Sequence, residues 1–464
     1  MEIKIKDIIN VCNAKLIFGD SEIVCENFSK DTRTINENDI YVGIKGENFD
    51  GNTLYENAFE KGAKACLLQG IDEKDFAEDF KNKYSDRAVI IVEDTIKAIQ
   101  EIAKYKRSLY NIPVVAITGS VGKTSTKDII SSVVSTHFKV QKTQGNLNNH
   151  IGLPLTILGL KDHEALVVEM GMNNLGEISV LSKIAMPNIA VITNVGTSHI
   201  GNLGSRENIL KAKLEILDGL EDGGTLIINN DNDLLHAWAN KYTGKVKIIT
   251  YGIENESIFM AKDVISKEDS SEFLATFKEQ KNVKIIVPVG GTHFVYNALS
   301  AVAVGNTLGL SIEEIQNGIQ KFELTKSRME LINLQNDITI INDCYNANYD
   351  SMKASIEYLA KTTAKRKIAV LGDMLELGEF SEELHRKVGE EVKKNKIDVL
   401  ITVGNLGKII SDSAQNNDIE IHQCDSNNEA VEVIKAIMKN NDIILVKASN
   451  GMKFKNIVEA LTQK

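Results

Sequence analysis

The β-branched run Val114-Val115-Ala116-Ile117 opens into Thr118-Gly119-Ser120-Val121-Gly122-Lys123-Thr124-Ser125, and a helical stretch follows. Strand, glycine loop and helix start together make a phosphate cradle. The loop and helix N–H groups point at phosphate oxygens, Lys123 brings a point charge, and the Thr124 hydroxyl suits Mg²⁺. The common nucleotide loop has glycine where Ile117 stands, so this is a shorter variant.

Further candidates follow apolar runs. Glu169 ends Ala165-Leu166-Val167-Val168, where a carboxylate can hold Mg²⁺ beside phosphates. His199 closes the small polar loop Thr193-Asn194-Val195-Gly196-Thr197-Ser198 and reads as a ligand. Lys213 stands out on a helical wheel over 206–217. With Ile209 at zero, it falls at about 40°, among Leu210, Leu214, Ile216 and Leu217, whereas Lys211 and Glu215 fall at about 200° and 240° on the solvent face. An inward lysine has a depressed pKa, and a neutral amine can add CO₂ to become a carbamate, an extra metal-binding carboxylate. Asn297 opens a small-residue helix and can bond a base or ribose. Arg328 suits a γ-phosphate across a cleft or a surface ion pair. Asp343-Cys344-Tyr345-Asn346-Ala347-Asn348 is a polar cluster directly after an apolar strand.

Strand-like and helical runs alternate almost throughout, which predicts stacked α/β domains. A chain of 464 residues is too long for one core. The pattern divides it into a small α/β domain at 1–95, a central P-loop ATPase-like α/β domain with a parallel sheet at 96–325, and a Rossmann-like α/β domain at 326–464. Central strands are expected at 113–118, 165–169, 189–193, 225–229 and 246–251, and a helix from Thr95 to Leu109 leads into the phosphate loop. In the last domain Ile338–Asp343, Lys367–Asp373, Val399–Gly404 and Asp442–Lys447 repeat the strand-then-polar design. Ligand groups collect at carboxyl strand ends of parallel sheets.

Hydrophobic content of 43% and charged content of 25% describe an ordinary globular protein. A net charge of −11 disfavours nucleic acid and anionic membranes as partners. The five cysteines are scattered, against a disulfide framework or zinc site. No run is long enough to span a bilayer and the start lacks a signal-peptide core, so a cytoplasmic location is expected; a monomer is expected as well.

Taken together these strings resemble the Mur ligase superfamily, the ATP-dependent amide-bond formers of peptidoglycan synthesis, over essentially the whole chain. Gly145-Asn146-Leu147-Asn148-Asn149-His150-Ile151-Gly152-Leu153-Pro154 and Glu169-Met170-Gly171-Met172 add to the resemblance. Asp343–Asn348 and Leu371-Gly372-Asp373-Met374-Leu375-Glu376-Leu377-Gly378 are most similar to the member that joins D-Ala-D-Ala to a UDP-N-acetylmuramoyl-tripeptide. Tyr349 departs from it, standing where proline is usual.

The resemblance implies roles. Gly119, Ser120, Val121, Gly122, Lys123, Thr124 and Ser125 bind the ATP phosphates. Thr124 and Glu169 hold one Mg²⁺, and His199 and a carbamylated Lys213 help hold a second. Asn297, Arg328 and Asp343 grip the nucleotide. Lys123, Glu169, His199 and Lys213 form the catalytic set. Asp31-Thr32-Arg33, Lys45-Gly46 and Asp50-Gly51 resemble UDP-sugar-binding segments, and Asn149, Tyr345, Asn346 and Asn348 are expected at substrate. Lys447-Ala448-Ser449-Asn450 is a candidate for the dipeptide pocket. The implied reaction runs through an acyl phosphate. A folylpolyglutamate synthase-like or other Mur-type ligase is the alternative. A GTP switch lacks its guanine-reading motif, since Asn240-Lys241-Tyr242-Thr243 has no Asp. A noncatalytic UDP-sugar binder leaves the phosphate loop without a use.

Overall fold

In the central sheet the strands Val114–Thr118, Ala165–Glu169, Ile189–Ile192 and Thr225–Asn229 are buried along their whole lengths. That is why they read as unbroken Val/Ile runs: helices cover both faces of a parallel sheet. The computed structural model describes residues 2–277 and 280–463. Its phosphate-loop strand lies between Ala165–Glu169 and Ile189–Ile192, all parallel. The register sets Glu169 beside Ile117 and Ile192 beside Thr118, so three carboxyl ends finish level.

The central sheet has nine strands, more than the sequence pattern disclosed. Val140–Lys142 forms one edge. Phe259–Ser266, Ser271–Phe277 and Gln280–Val287 extend the other through antiparallel pairs. Ser271–Phe277 buries alternate residues only, so it lacks the apolar run that marks its parallel neighbours.

Six strands form the last sheet, in which Thr339–Asn342, Asp442–Lys447 and Arg366–Gly372 are parallel neighbours. Asn342 pairs with Val446 and Leu371 with Lys447, so Asp343, Lys447 and Asp373 gather at one edge. An antiparallel strand, Glu330–Asn333, borders it. The first sheet joins Lys15–Phe18, Ala88–Ile91, Ala65–Leu68, Ile40–Val42 and Phe28–Ser29. Phe76, Phe80, Phe59 and Tyr84 pack over it with tilted or edge-on rings. Among the described residues no helix is long and apolar enough to cross a membrane.

The helix Thr95–Ser108 ties the first sheet to the central layer. Asp94 caps its first turn through Ile96 N–H at 2.8 Å and Lys97 N–H at 3.0 Å. Thr95 donates to Gly43 O of the first domain. At the other end Lys106 donates to Leu158 O at 2.6 Å, and Arg107 donates to Ala185 O and Tyr110 O.

Burial pushes the Lys106 amine down from 10.5 to about 8. Between those values the unfolded chain binds the extra proton, so this group makes stability rise with pH and adds nothing further below about 8. Denaturant unfolding of wild type and Lys106→Met at pH 8 and pH 10 should show wild type gaining roughly 2 kcal/mol more than the variant across that range. Parallel curves would show that the lysine titrates normally.

Candidate active site

Carboxyl strand ends of the central and last sheets face one another across a cavity of about 510 Å³. The phosphate loop forms one wall. Gly119 sits at φ +155°, and a Cβ there would lie 1.8 Å from Thr193 Oγ1, so only glycine fits. Gly122, at φ +81°, starts the helix Lys123–Val134. Not every loop N–H faces the cavity as expected. Those of Ser120 and Val121 both donate to Asn194 Oδ1, at 3.1 and 2.9 Å. The donors left for an anion are the first-turn N–H groups of Lys123, Thr124 and Ser125, which have no intrahelical partner. Lys123 curls back onto Gly119 O at 2.8 Å, and burial lowers its pKa while Glu169 partly restores it.

A chain of hydrogen bonds crosses the cavity. Arg328 donates to Thr124 Oγ1 at 2.9 Å, Thr124 donates to Glu169 Oε2 at 2.9 Å, and Asn148 donates to Glu169 Oε1 at 2.7 Å. The Arg328 guanidinium lies 4.0 Å from the centre of the Tyr345 ring. Arg328 is therefore a cavity residue and not part of a surface ion pair. Its Nε is buried without a hydrogen-bond partner among the described residues. Asn297 Oδ1 accepts from Thr126 Oγ1 at 3.0 Å and would sit 3.2 Å from a Cβ on Gly122.

Asp343 is more fully engaged than a nucleotide ligand would be. Its carboxylate takes Lys447 Nζ at 2.5 Å, Ser355 Oγ at 2.7 Å and Met329 N–H at 3.2 Å. Lys447 also donates to Asn346 O at 3.1 Å. The pair clamps two strand ends and fixes the backbone beside Arg328. Asn348 caps the helix Tyr349–Lys361 by accepting from Ser351 N–H at 2.9 Å. Tyr349 occupies its first position, where proline is also tolerated, so the departure leaves the turn intact. Asn149 accepts from Ile151 and Gly152 N–H groups and so orders the turn into Gly152–Leu158.

Lys213 is 1% exposed, and Lys211 is exposed on the opposite side. Lys213 has no ion pair or hydrogen bond among the described residues. Burial, and then the charge of Lys123, drive its pKa well down. The helix is shorter than the wheel assumed: it stops at Leu214 and tightens into Glu215–Gly219. Glu215 is consequently not a free surface carboxylate. It accepts from Gly176 N–H at 2.7 Å and Ser179 N–H at 3.2 Å, at the start of Glu177–Ala185.

His199 adopts φ +63°. Its Nδ1 lies 3.0 Å from Glu376 Oε2 but off the line of a hydrogen bond, and is otherwise buried without a partner. The loop before it is pinned on both sides. Gly196 N–H and Ser198 Oγ bond Ser120, while Thr197 N–H and Oγ1 bond Asp350 Oδ2 at 2.7 and 2.9 Å. Asp31, Thr32, Arg33, Lys45 and Gly46 do not line this cavity. Asp31 and Arg33 form an ion pair, and the backbones of Lys45 and Asp50 pair as an isolated antiparallel bridge in a turn of the first domain.

Sequence reasoning missed Asn194 and Glu376 as site groups, although both lay in quoted strings. Among the described residues no three His, Cys, Asp or Glu side chains form a metal cluster. The groups that fit a magnesium-bound polyphosphate are the Thr124 hydroxyl with Glu169, and Arg328 Nε and His199 Nδ1, which have no hydrogen-bond partner among the described residues.

A phosphate loop answered by an arginine from another α/β domain is the arrangement of a multidomain enzyme that works on nucleotide phosphates. Residues 117–305 match the Mur ligase middle domain, and residues 327–450 match the Mur ligase, glutamate ligase domain. The chain is 39% identical over 447 residues to the UDP-N-acetylmuramoyl-tripeptide–D-alanyl-D-alanine ligase of Bacillus subtilis, covering 95% of this chain and 94% of that protein. A MurF structure from Acinetobacter baumannii superimposes with a TM-score of 0.88 at 26% identity, covering 100% of this chain and 99% of that one. A MurF ligase from Thermotoga maritima in complex with ADP gives 0.80 at 27% identity, covering 94% and 96%. The chain belongs to the Mur ligases, and within them to the family of UDP-N-acetylmuramoyl-tripeptide–D-alanyl-D-alanine ligases.

The seam between the domains is tight. A Cβ on Gly201 would lie 2.6 Å from Gly378 N and 2.7 Å from Glu376 O, both backbone atoms. Gly201→Ala should therefore part the seam without unfolding either domain. Small-angle scattering should give a larger radius of gyration than wild type at an unchanged circular dichroism spectrum. Identical radii would mean that the seam is not closed in solution.

Proposed function

We infer that this enzyme joins D-alanyl-D-alanine to UDP-N-acetylmuramoyl-tripeptide at the expense of ATP, as a step of peptidoglycan precursor synthesis. The observation that carries the reading is the Arg328–Thr124–Glu169 chain, which puts a third-domain cation against the phosphate loop. The alternative, glutamate addition to a folate, does not account for full-length kinship with D-alanyl-D-alanine ligases.

The tripeptide carboxylate attacks the γ-phosphate of ATP, ADP leaves, and an acyl phosphate forms. The dipeptide amine then attacks the acyl carbon and phosphate leaves. Catalysis of the first step is positioning and charge neutralisation. The first-turn N–H groups and Lys123 hold the phosphates, and Arg328 approaches the transferring group from the opposite wall. Asn297 and the Asp343-braced loop seat the nucleoside. Magnesium would supply charge neutralisation at the phosphates, held by Thr124 and Glu169 at one position and by His199 and a Lys213 carbamate at the other. Lys213 suits carbamylation because burial favours the neutral, nucleophilic form of its amine. The first domain, through Asp31, Thr32, Arg33, Lys45 and Gly46, takes the UDP end, with Asn149, Tyr345, Asn346 and Asn348 along the substrate. One chain supplies every wall of the cavity, which supports a monomer working in the cytoplasm, where ATP is available.

Phosphate release should require both UDP-N-acetylmuramoyl-tripeptide and D-alanyl-D-alanine. Release with a folate and L-glutamate instead would overturn the reading. Lys123→Ala should cut turnover by at least about 10²–10³-fold, the scale for losing one transition-state donor. Calorimetry should find its affinity for the UDP substrate close to wild type. Loss of that affinity in a folded variant would contradict the division of labour between domains.

Lys213→Ala should fold and lose nearly all ligation, whereas Lys211→Ala should work like wild type. Wild-type activity should also fall in buffer stripped of CO₂ and return with bicarbonate. A fully active Lys213→Ala would exclude the carbamate.

A further inference from the structure

Four carboxylates line the cavity: Glu169, Glu177, Asp343 and Glu376. Three are filled. Glu169 takes Thr124 and Asn148, and Asp343 takes Lys447, Ser355 and Met329 N–H. Glu177 accepts from Asn173 N–H and Asn174 Nδ2, each at 2.9 Å. Glu376 receives no aligned hydrogen bond among the described residues, and the His199 ring nitrogen Nδ1 lies 3.0 Å from its Oε2.

The segment carrying Glu376 is held firmly. Met374 N–H donates to His385 Nε2 at 2.9 Å, and His385 Nδ1 lies 2.6 Å from Ser381 O. The Nδ1–H tautomer satisfies both contacts. Leu375 N–H donates to Ser449 Oγ at 2.9 Å, Ser449 N–H to Asp373 O at 3.1 Å, and Gly407 N–H to Asp373 Oδ1 at 2.8 Å. These bonds leave Glu376 itself at φ +65°, an unfavourable conformation for a residue with a side chain. The third domain thus holds one open carboxylate beside the phosphate-loop domain and anchors it through its neighbours.

The second substrate gives that carboxylate a use. A dipeptide amine arrives largely protonated at neutral pH. It must enter a cavity lined by Lys123 and Arg328, which repel it. A carboxylate on the third-domain wall reverses that repulsion where the amine has to stand. We propose that Glu376 binds the ammonium group of the incoming D-alanyl-D-alanine and holds its nitrogen on the His199 side of the cavity. This rests on the ligase reading above and assigns the one cavity carboxylate that receives no aligned hydrogen bond among the described residues. Glu376 orients the nucleophile before it is deprotonated. Its side chain is 57% exposed, so replacing it does not empty a core site.

The test compares wild type, Glu376→Gln and Glu376→Asp in the full-length enzyme, with propionyl-D-alanine as a competitive inhibitor. That compound is D-alanyl-D-alanine without its amine. In Glu376→Gln the KM for D-alanyl-D-alanine should rise about 10–100-fold, the scale for a hydrogen bond to a charged group. The KM values for ATP and the UDP substrate, and the Ki of propionyl-D-alanine, should stay within about twofold, with Glu376→Asp intermediate. An unchanged dipeptide KM would overturn the proposal. So would equal weakening of dipeptide and desamino analogue, which is a shape effect, or a raised Mg²⁺ requirement with the dipeptide KM intact, which makes Glu376 a metal ligand. Wild type that fails to use D-alanyl-D-alanine at all would refute the ligase reading itself, independently of the variants.

Discussion

The hydrogen bonds from Arg328 through Thr124 to Glu169 are the constraint on which the rest depends. They need three things at once. The central strands must end level so that Thr124 and Glu169 meet. The last sheet must present its carboxyl edge to the same space. The chain between must deliver Arg328 at the right height, which the Lys447–Asp343 clamp does by holding Met329 N–H. A cation, a hydroxyl and a carboxylate in series complement the charges a phosphate and its metal would bring, so the fold itself arranges the groups that meet them.

Electrostatics gives the same division of labour. The chain carries a net charge of −11, yet Lys123, Arg328 and Lys447 line one cavity, and among the described residues only Lys447 has an ion-pair partner there. Buried unpaired cations cost stability, so a protein that retains them has a ligand in view. Polyphosphate supplies the missing negative charge. Overall acidity keeps other polyanions away, while the local positive field draws the intended one.

Much of this was legible in the residues themselves. Strands buried on both faces announce themselves as Val/Ile runs, and the parallel cores of the central and last sheets were readable for that reason. Lys213 was legible because a lysine in an apolar stripe violates helical phase. Legibility ended where a partner was distant in sequence or geometry changed locally. Nothing in Ser120-Val121 reveals that Asn194, over seventy residues away, takes their N–H groups. Glu215 read as solvated because the wheel assumed α-helix beyond Leu214, where the chain tightens and the carboxylate turns to a neighbouring helix start. The antiparallel extension was obscured because a one-faced strand alternates, and on its open side Glu272 pairs with Lys284.

The seam between the domains links binding order to chemistry. His199 and Glu376 are both held at positive φ, on opposite sides of it: Ser198 bonds Ser120 in the central domain and Thr197 bonds Asp350 across the seam, while Met374 and Leu375 bond His385 and Ser449 in the third domain. Such conformations persist only where the surroundings over-determine them. The His199 loop thus needs the third domain to complete its anchoring, and the halves become one site only at short range. Gly196 and Gly201 permit that range: a Cβ on the first would lie 2.2 Å from Asp350 Oδ2, and one on the second would strike the Gly378 backbone. An acyl phosphate is vulnerable to water until the amine reaches it. A site completed only by apposition of two walls excludes water at the moment both reactants are present, and opening the same seam is the simplest way to release a product larger than the cavity.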